Sequence, residues 1–388
     1  MTKKKEEKEK LKKDLNEKPV FSDIPRQSDL SPKELYDYLL SLPKSDLHCH
    51  LDGCLRPSTI IDLAKQQGVE LPSYKEDELK KILRVGENFT DLNGLLKVFD
   101  TTLSVLQTEE ALYRAAYELV EDTAAENVKY LEVRFSPILH TQKGLRLTRI
   151  MDAVLSGLRD GRKKFDTKNG VIVCGIRQIS PEISMKLAEV TVAYKYRGVV
   201  GFDLAGAEDH YPAKDHSEAF YMIRNNCINC TVHAGEAYGP DSIKQALHNL
   251  NAHRIGHGTR LKEDGDLRNY VNDHRIPLEI CLTSNVQVGA AKSFESHPAK
   301  FYYDCGLRIT INTDNRLLSD TSVTKELYTA VDKCGFSLTD IPDLIINGFK
   351  SSFQHYKQRM TLLEEVLSEI GVIDYAKSIS SWGQNLSK

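Results

Sequence analysis

The chain has 388 residues and a mass of 43.8 kDa, which is enough for one large domain or two ordinary ones. Hydrophobic residues make up 40% and charged residues 28%, the balance of a soluble globular protein. The net charge of −3 excludes a generally basic nucleic-acid-binding protein. No apolar run approaches the roughly 18 residues that a membrane span requires. We therefore expect neither a nucleic acid nor a membrane as a partner.

The amino-terminal segment 1–18 holds eight lysines and five acidic residues, with almost nothing apolar between them. Such a segment buries too little surface to offset its ordering entropy, so we predict a mobile charged tail. It also lacks the apolar stretch of a secretory signal peptide. The eight cysteines are scattered, mostly in apolar runs. This pattern favours reduced, buried thiols and a cytoplasmic location.

The folded part is expected to begin with a helix within SPKELYDYLLSLPK (31–44). Ser31 can cap this helix, with Pro32 at its first position and Glu34 placed to complete a capping box. Pro43 marks its end.

Eight near-continuous apolar runs follow, and most are separated by long helix-period stretches. Continuous rather than alternating hydrophobicity is typical of buried parallel strands. Repeated βα units of this kind close most economically as a (β/α)8 TIM barrel, and an open doubly wound sheet is the alternative. The runs are SDLHCHL (45–51), VKYLEVRFSP (128–137), GVIVCGIRQIS (170–180), VVGFDLAG (199–206), CTVHAGE (230–236), HRIGHG (253–258), PLEICLTSN (277–285) and LRITINTD (307–314).

A long helical excursion, 52–128, lies between the first two runs and includes a helical pattern at 92–107. In a barrel this segment would lie on the carboxyl-terminal face, as a candidate lid with Leu95 and Phe99 one turn apart. We predict a single barrel domain over 31–388.

Imidazoles and carboxylates recur where the predicted strands end. A buried strand carries such groups only when they are paired or bind something. His48 and His50 are two residues apart and therefore face the same side, while His233, His257 and Asp314 end three other runs. The strand ends of a barrel converge, so this set predicts a site for one Zn²⁺ or a similar divalent ion.

The remaining histidines lie in helical or loop contexts, and we expect them on the surface. Cys227 and Cys230 form an isolated CxxC at the start of a strand, which indicates packing rather than metal binding. The signals of a phosphate-binding loop, a nucleophile elbow, a dinucleotide site and a base-flipping zinc deaminase are all missing. The expected surface histidines are His140, His210, His216, His248, His253, His274, His297 and His355.

A divalent metal at this site would activate water near neutral pH. His257 could take or hold the proton of that water, and Glu236 could act as a general acid if burial keeps its carboxyl protonated. These residues alone leave amide hydrolysis, phosphotriester hydrolysis and aromatic deamination open.

The motifs at these positions resemble the ordered set found in the adenosine deaminase family of metal-dependent hydrolases. The likeness runs from about residue 44 to about 330, leaving the tail and roughly the last fifty residues outside it. The combination of HxHLDG with HAGE is highly specific. The motifs are DLHCHLDG (46–53), DLAG (203–206), HAGE (233–236), RIGHG (254–258) and NTDN (312–315).

The resemblance implies roles for individual residues. His48, His50, His233 and Asp314 match the zinc ligands, and Asp314 would also orient the attacking water. His257 matches the residue that positions or deprotonates the water, and Glu236 matches the acid that protonates purine N1. The substrate contacts implied are those of His50, of Gly206 through its backbone N–H to purine N3, and of Asp52 with the ribose 5′-hydroxyl. Deamination of adenosine, and of 2′-deoxyadenosine, to inosine and ammonia in purine salvage follows as the expected activity.

One position departs from the commoner family pattern, because Asn315 stands where a second Asp is usual. An amide NH₂ donates a hydrogen bond to purine N7 at any pH, whereas a carboxyl donates only when protonated. The change leaves the substrate open among adenosine, adenine, aminofutalosine and an N6-modified AMP. An anionic Asp52 would repel a phosphate, but Arg56 is close enough in sequence to attract one. A non-catalytic metal-binding scaffold is the remaining alternative, and the oligomeric state is left open.

Overall fold

A computed structural model describes residues 24–85 and 92–371, with side chains from residue 98 onward in the second range. The predicted charged tail and the side chain of Leu95 lie outside the described residues. Helix α1 (Pro32–Ser41) has the predicted capping box, because Ser31 and Glu34 exchange side-chain and backbone hydrogen bonds.

All eight predicted strands are present, and each hydrogen-bonds in parallel to the next in chain order. The segment just after the eighth strand hydrogen-bonds to the first strand and so nearly closes the sheet. The amide of Asp314 donates to His48 O, and the amide of His50 donates to Asp314 O. The predicted (β/α)8 barrel is therefore confirmed. The strands are β1 (Lys44–His50), β2 (Val128–Phe135), β3 (Lys168–Ile176), β4 (Val199–Ala205), β5 (Asn229–Ala234), β6 (Arg254–His257), β7 (Leu278–Ile280) and β8 (Ile309–Ile311).

The helical insertion after β1 is also present. Its described residues form a short 3₁₀ turn, Leu51–Gly53, and four helices: α2 (Pro57–Gln67), α3 (Glu76–Leu83), α4 (Leu92–Val105) and α5 (Glu109–Ala124). Phe99 is partly buried and packs against the hydrophobic core. The predicted role of this insertion as a lid, and the single-domain boundary, stay predictions.

The other helices lie between later strands or after β8. The seventh apolar run was predicted too long, because β7 ends at Ile280 and residues 282–287 are helical. The helices are α6 (Leu147–Phe165), α7 (Pro181–Tyr194), α8 (Ser217–Asn225), α9 (Pro240–His248), α10 (Gly265–Asp273), α11 (Leu282–Gln287), α12 (Ala299–Asp304), α13 (Val323–Lys333), α14 (Ile341–Ser351) and α15 (Tyr356–Glu369).

Three of the eight expected surface histidines are in fact buried. His140 bonds to Leu106 O, His216 to Ser184 Oγ, and His297 to the side-chain oxygen of Asn285. The prediction of surface exposure was wrong for these three residues, because tertiary packing covers their imidazoles and supplies hydrogen-bond partners.

The eight cysteines are all free, and six of them are buried. Cys230 is buried and Cys227 is exposed, so the CxxC motif does not form a paired site. In the part of the chain that the structure describes, no helix is both long enough and apolar enough to cross a bilayer.

Candidate active site at the carboxyl end of the barrel

The predicted polar residues converge where the strands end. Nε2 of His50 lies 3.1 Å from Nε2 of His233 and 3.3 Å from Oδ1 of Asp314. Nε2 of His48 lies 3.4 Å from the same Asp314 oxygen and has no hydrogen-bond partner despite its burial. Buried polar atoms normally have partners, so a nitrogen without a protein partner that faces other potential ligand atoms is suited to binding a cation.

In His48 and His233, the Nδ1 nitrogen of each imidazole is hydrogen-bonded to its own buried carboxylate. His48 Nδ1 donates to Glu279 at 2.9 Å, and His233 Nδ1 donates to Asp203 at 3.0 Å. These bonds fix the tautomers and leave each Nε2 free to bind a metal. Three imidazoles and one carboxylate are a ligand set that zinc prefers.

Potential ligand atoms of His48, His233, His257 and Asp314 lie within 4.8 Å of one another. His50 also belongs to this cluster, because its Nε2 contacts both His233 and Asp314 directly. His257 instead has Nδ1 beside the Asn285 amide at 3.0 Å and Nε2 3.7 Å from Glu236.

The carboxyl of Asp314 is ionised. Burial alone would raise the pKa of Asp314, but the nearby imidazoles of His48, His50 and His257 hold it well below its usual range. Its second oxygen accepts a 2.6 Å hydrogen bond from Ser284 Oγ. Asp314 can therefore bind a cation through one oxygen while Ser284 fixes the other.

In contrast to Asp314, both Glu236 and His257 have pKa values shifted toward the neutral form of the side chain. Burial raises the pKa of Glu236 well above its usual range, and the negative charges of Asp314 and Glu208 raise it further. Burial also lowers the pKa of His257, with His48 adding to the shift. A protonated carboxyl and a neutral imidazole are the forms that general acid and general base catalysis need.

Two of the clustered residues adopt left-handed backbone conformations, with φ of 61° at His257 and 60° at Asp314. Non-glycine residues in this region cost on the order of 1–3 kcal/mol and concentrate at functional sites. The surrounding fold therefore holds both side chains in place against a local preference.

The predicted substrate contacts lie at the same face. Gly206 has φ of 97°, and a Cβ there would overlap Oε1 of Gln178, so only glycine fits. Asn315 is buried, and its side-chain oxygen packs against Gly53 without a hydrogen-bond partner.

Asp52 is buried in the 3₁₀ turn after β1, and its Oδ1 has no partner. Burial, with a further contribution from Asp314, raises the pKa of Asp52 to about 7. The prediction that Asp52 is simply anionic was therefore too strong, because burial favours the neutral form.

Arg56 does not contribute to a phosphate site. Its guanidinium binds Glu121 at 2.8 Å and Asp122 at 2.5 Å on α5. The cation that sequence proximity had suggested for a 5′-phosphate is thus already neutralised.

Sequence reasoning missed the residues that support this cluster. Asp203 and Glu279 are fully buried and are bridged by Arg134, which binds them at 3.0 and 2.8 Å. A carboxylate or guanidinium inside a predicted buried strand was the available signal, since such groups need partners there. Asn285 and Glu208 follow strands in loops or short helices, where sequence alone gives no such signal.

An open cavity of about 740 Å³ adjoins this cluster. Glu236 is part of its wall, together with residues that follow β5, β6 and β7. The Glu236 side chain therefore borders a space large enough for a small molecule.

A parallel barrel with a histidine–carboxylate centre at its carboxyl end defines a metal-dependent hydrolase. The family model for adenosine deaminase matches residues 43–369. The chain belongs to the adenosine deaminase family. The match extends through α15, so the expectation that the resemblance ends near residue 330 was wrong for the residues up to 369.

Individual relatives agree with this assignment. The chain is 41% identical over 348 residues to adenosine deaminase from Mycobacterium ulcerans (strain Agy99), covering 85% of this chain and 96% of the relative. It is 44% identical over 317 residues to a probable adenosine deaminase from Dictyostelium discoideum, covering 82% of this chain but 41% of that longer protein.

Solved structures show the same fold. Adenine deaminase from Arthrobacter aurescens superposes with a TM-score of 0.79 at 28% identity, covering 84% of this chain and 98% of that one. An Arabidopsis N6-mAMP deaminase gives 0.77 at 27% identity, covering 86% and 99%. Both chains are less similar in sequence than the adenosine deaminases above.

Proposed function

We propose that this enzyme hydrolyses the C6 amino group of adenosine, and of 2′-deoxyadenosine, to give inosine and ammonia in purine salvage. The observation that carries the proposal is the partly buried Glu236 carboxyl, 3.7 Å from His257 and beside four converging metal-ligand side chains. Identity of about 40% with adenosine deaminases supports adenosine as the substrate.

His48, His50, His233 and Asp314 would hold one Zn²⁺. The ion, when bound, supplies Lewis-acid activation of a water molecule. The Asp314 carboxylate would also accept a hydrogen bond from that water and so orient it. His50 lies at the exposed side of the ligand cluster, where it can also contact the substrate.

His257 would receive or position the proton of the attacking water. Its neutral form is favoured by burial, and the Asn285 amide at 3.0 Å fixes the ring. Because Nδ1 accepts from the Asn285 NH₂, the neutral ring carries its proton on Nε2, the nitrogen that lies 3.7 Å from Glu236. In this tautomer His257 would position the water through Nε2–H, and receiving the proton of the water would require the tautomer in which Nδ1–H donates to the Asn285 oxygen.

Glu236 would donate its proton to purine N1. Addition of water oxygen at C6 moves an electron pair toward N1, so protonation there lowers the barrier before ammonia leaves. The Gly206 N–H would bind N3, and the Asn315 amide NH₂ would donate to N7, since the amide oxygen packs against Gly53. Asp52, whose Oδ1 has no protein partner, would bind the ribose 5′-hydroxyl.

The free nucleoside is favoured over a nucleoside monophosphate. Arg56 is neutralised by Glu121 and Asp122, and Asp52 offers no positive charge. Adenine, aminofutalosine and N6-modified AMP remain the alternative substrates, and a non-catalytic scaffold is disfavoured because the ligand set, Glu236 and His257 are all in place. The free thiols support the predicted cytoplasmic location.

The direct test follows ultraviolet absorbance of the purified protein with adenosine, with and without a strong chelator. We expect absorbance near the adenosine maximum to fall as inosine forms. The fall should stop on chelation and resume when zinc is added. Inactive zinc-loaded protein would contradict adenosine as the substrate, and parallel assays with adenine, aminofutalosine and N6-methyl-AMP would then identify the correct one.

A further inference from the structure

One buried carboxylate is devoted to the backbone around Glu236. Glu208 follows β4 and is 5% exposed. Its Oε1 accepts hydrogen bonds from the amides of Glu236 at 2.8 Å and Ala237 at 3.0 Å, and its Oε2 accepts from the amide of Gly235 at 2.9 Å. Three consecutive peptide groups are thus fixed by a single side chain from the neighbouring strand end.

The same segment is held on its other side by Arg177, at the end of β3. The Arg177 guanidinium donates to the carbonyl of His233 at 2.7 Å and to the carbonyl of Tyr211 at 2.8 Å. The loop that carries Glu236 is therefore hydrogen-bonded to the Arg177 guanidinium at its start and to the Glu208 carboxylate at its turn. The hydrogen bonds of both side chains go to backbone groups of this segment or to Tyr211 and Ser242, and not to the side chains of Glu236, His257 or the proposed metal ligands.

We propose that Glu208 is the positioning residue that holds Glu236 in place for proton donation to the substrate. This inference rests on the acid role proposed above for Glu236. Hydrogen bonds from neutral donors to an ionised acceptor are stronger than neutral pairs, and here three of them act on adjacent peptide planes. Fixing those planes fixes the direction of the Glu236 side chain, and a misplacement of about 1 Å can reduce turnover roughly 10²-fold.

The chemistry of a carboxylate is essential to this arrangement. Glutamine offers one acceptor oxygen, and its NH₂ would face at least one of the three amide N–H groups instead of accepting from it. Aspartate keeps two acceptor oxygens and the charge but is shorter by one C–C bond, roughly 1.5 Å. Glu208→Gln and Glu208→Asp therefore separate the loss of acceptors from a loss of reach.

The experiment measures kcat and KM for adenosine in zinc-loaded wild-type protein and in both Glu208 variants. Asp209→Asn is the matched control, since it removes the same charge from the next residue, whose side chain is exposed. We expect Glu208→Gln to lower kcat by about 10- to 100-fold with KM changed less than about threefold. Glu208→Asp should recover part of that loss, and Asp209→Asn should match the wild type.

Hydrogen exchange of the peptide spanning 233–237 gives a readout that does not depend on activity. We expect faster exchange in this peptide for Glu208→Gln, with unchanged exchange in the peptide containing His257. Unchanged exchange and unchanged kcat would overturn the proposal, as would faster exchange with wild-type kcat. If Glu208→Gln fails to fold, the comparison of Glu208→Asp with wild type decides by the same two measurements.

The two proposals fail in different ways. A wild-type protein that leaves adenosine unchanged contradicts the proposed function, whatever the exchange results show. A wild-type protein that deaminates adenosine, together with a folded Glu208→Gln variant that does so equally fast, contradicts only the positioning role.

Discussion

Replacement of Glu236 by Gln isolates proton donation from every other property of that side chain. Burial, with Asp314 and Glu208 nearby, keeps the pKa of Glu236 well above its usual range and so favours the neutral carboxyl. An amide has nearly the same size and is also neutral. It can donate a hydrogen bond but cannot transfer a proton to purine N1.

The expected loss follows from this difference. General acid catalysis by a positioned side chain contributes about 10²- to 10⁴-fold, which at 1.36 kcal/mol per tenfold is roughly 2.7–5.4 kcal/mol in the transition state. Because the amide keeps the shape and the donor of the neutral carboxyl, ground-state binding is conserved. Glu236→Gln should therefore lower kcat by that factor and change KM by less than about threefold.

The same substitution should not reduce the stability of the protein at neutral pH, in contrast to its effect on kcat. A carboxyl whose pKa is raised by folding binds more protons in the folded than in the unfolded state above the unfolded pKa of about 4.3. Its contribution to stability is present below that pH and declines as the pH rises toward the folded pKa. Glu236→Gln removes this decline, so the variant should be at least as stable as the wild type at pH 7.

The assay combines steady-state deamination with thermal unfolding at pH 5 and pH 7. Glu263→Gln is the control, since Glu263 lines the same cavity but is exposed and pairs with Arg260. Wild-type turnover in a folded, zinc-loaded Glu236→Gln protein would refute the acid role. A variant less stable than the wild type at pH 7 would refute the neutral, buried state on which the calculation depends.

Three further outcomes are expected. Arg134→Met removes the cation shared by the buried carboxylates Asp203 and Glu279, so urea denaturation should show a loss of about 3–5 kcal/mol. The exposed-pair control Arg149→Met should change stability by less than about 1 kcal/mol, and equal effects would contradict the assignment. Asn315→Asp should retain deamination, with activity relative to wild type falling as the pH rises, because a carboxyl donates to N7 only when protonated; loss of turnover at every pH would refute the N7 contact. Free zinc at 1,000 times its dissociation constant should stabilise the folded protein by about 4 kcal/mol, so chelation should lower the melting temperature. An unchanged melting temperature would contradict binding of zinc to the folded protein.

The sequence by itself determined the barrel and most of the site. Eight continuous apolar runs predicted eight parallel strands, since a strand covered on both faces needs no polar alternation. His48 and His50 were predicted to face the same side from their spacing of two, and the structure brings both into contact with Asp314. The motif that carries Glu236 was readable because its residues are contiguous along the chain.

Only the tertiary structure decided which groups support the site and in which protonation state. Glu279 and His48 are 231 residues apart in sequence, and Glu208 and Glu236 are 28 apart, yet each pair is in hydrogen-bond contact. The pKa of Glu236 depends on burial and on charges from other strands, which no local pattern encodes. Long-range contacts and desolvation are properties of the closed barrel, and for that physical reason they could not be obtained from the order of residues alone.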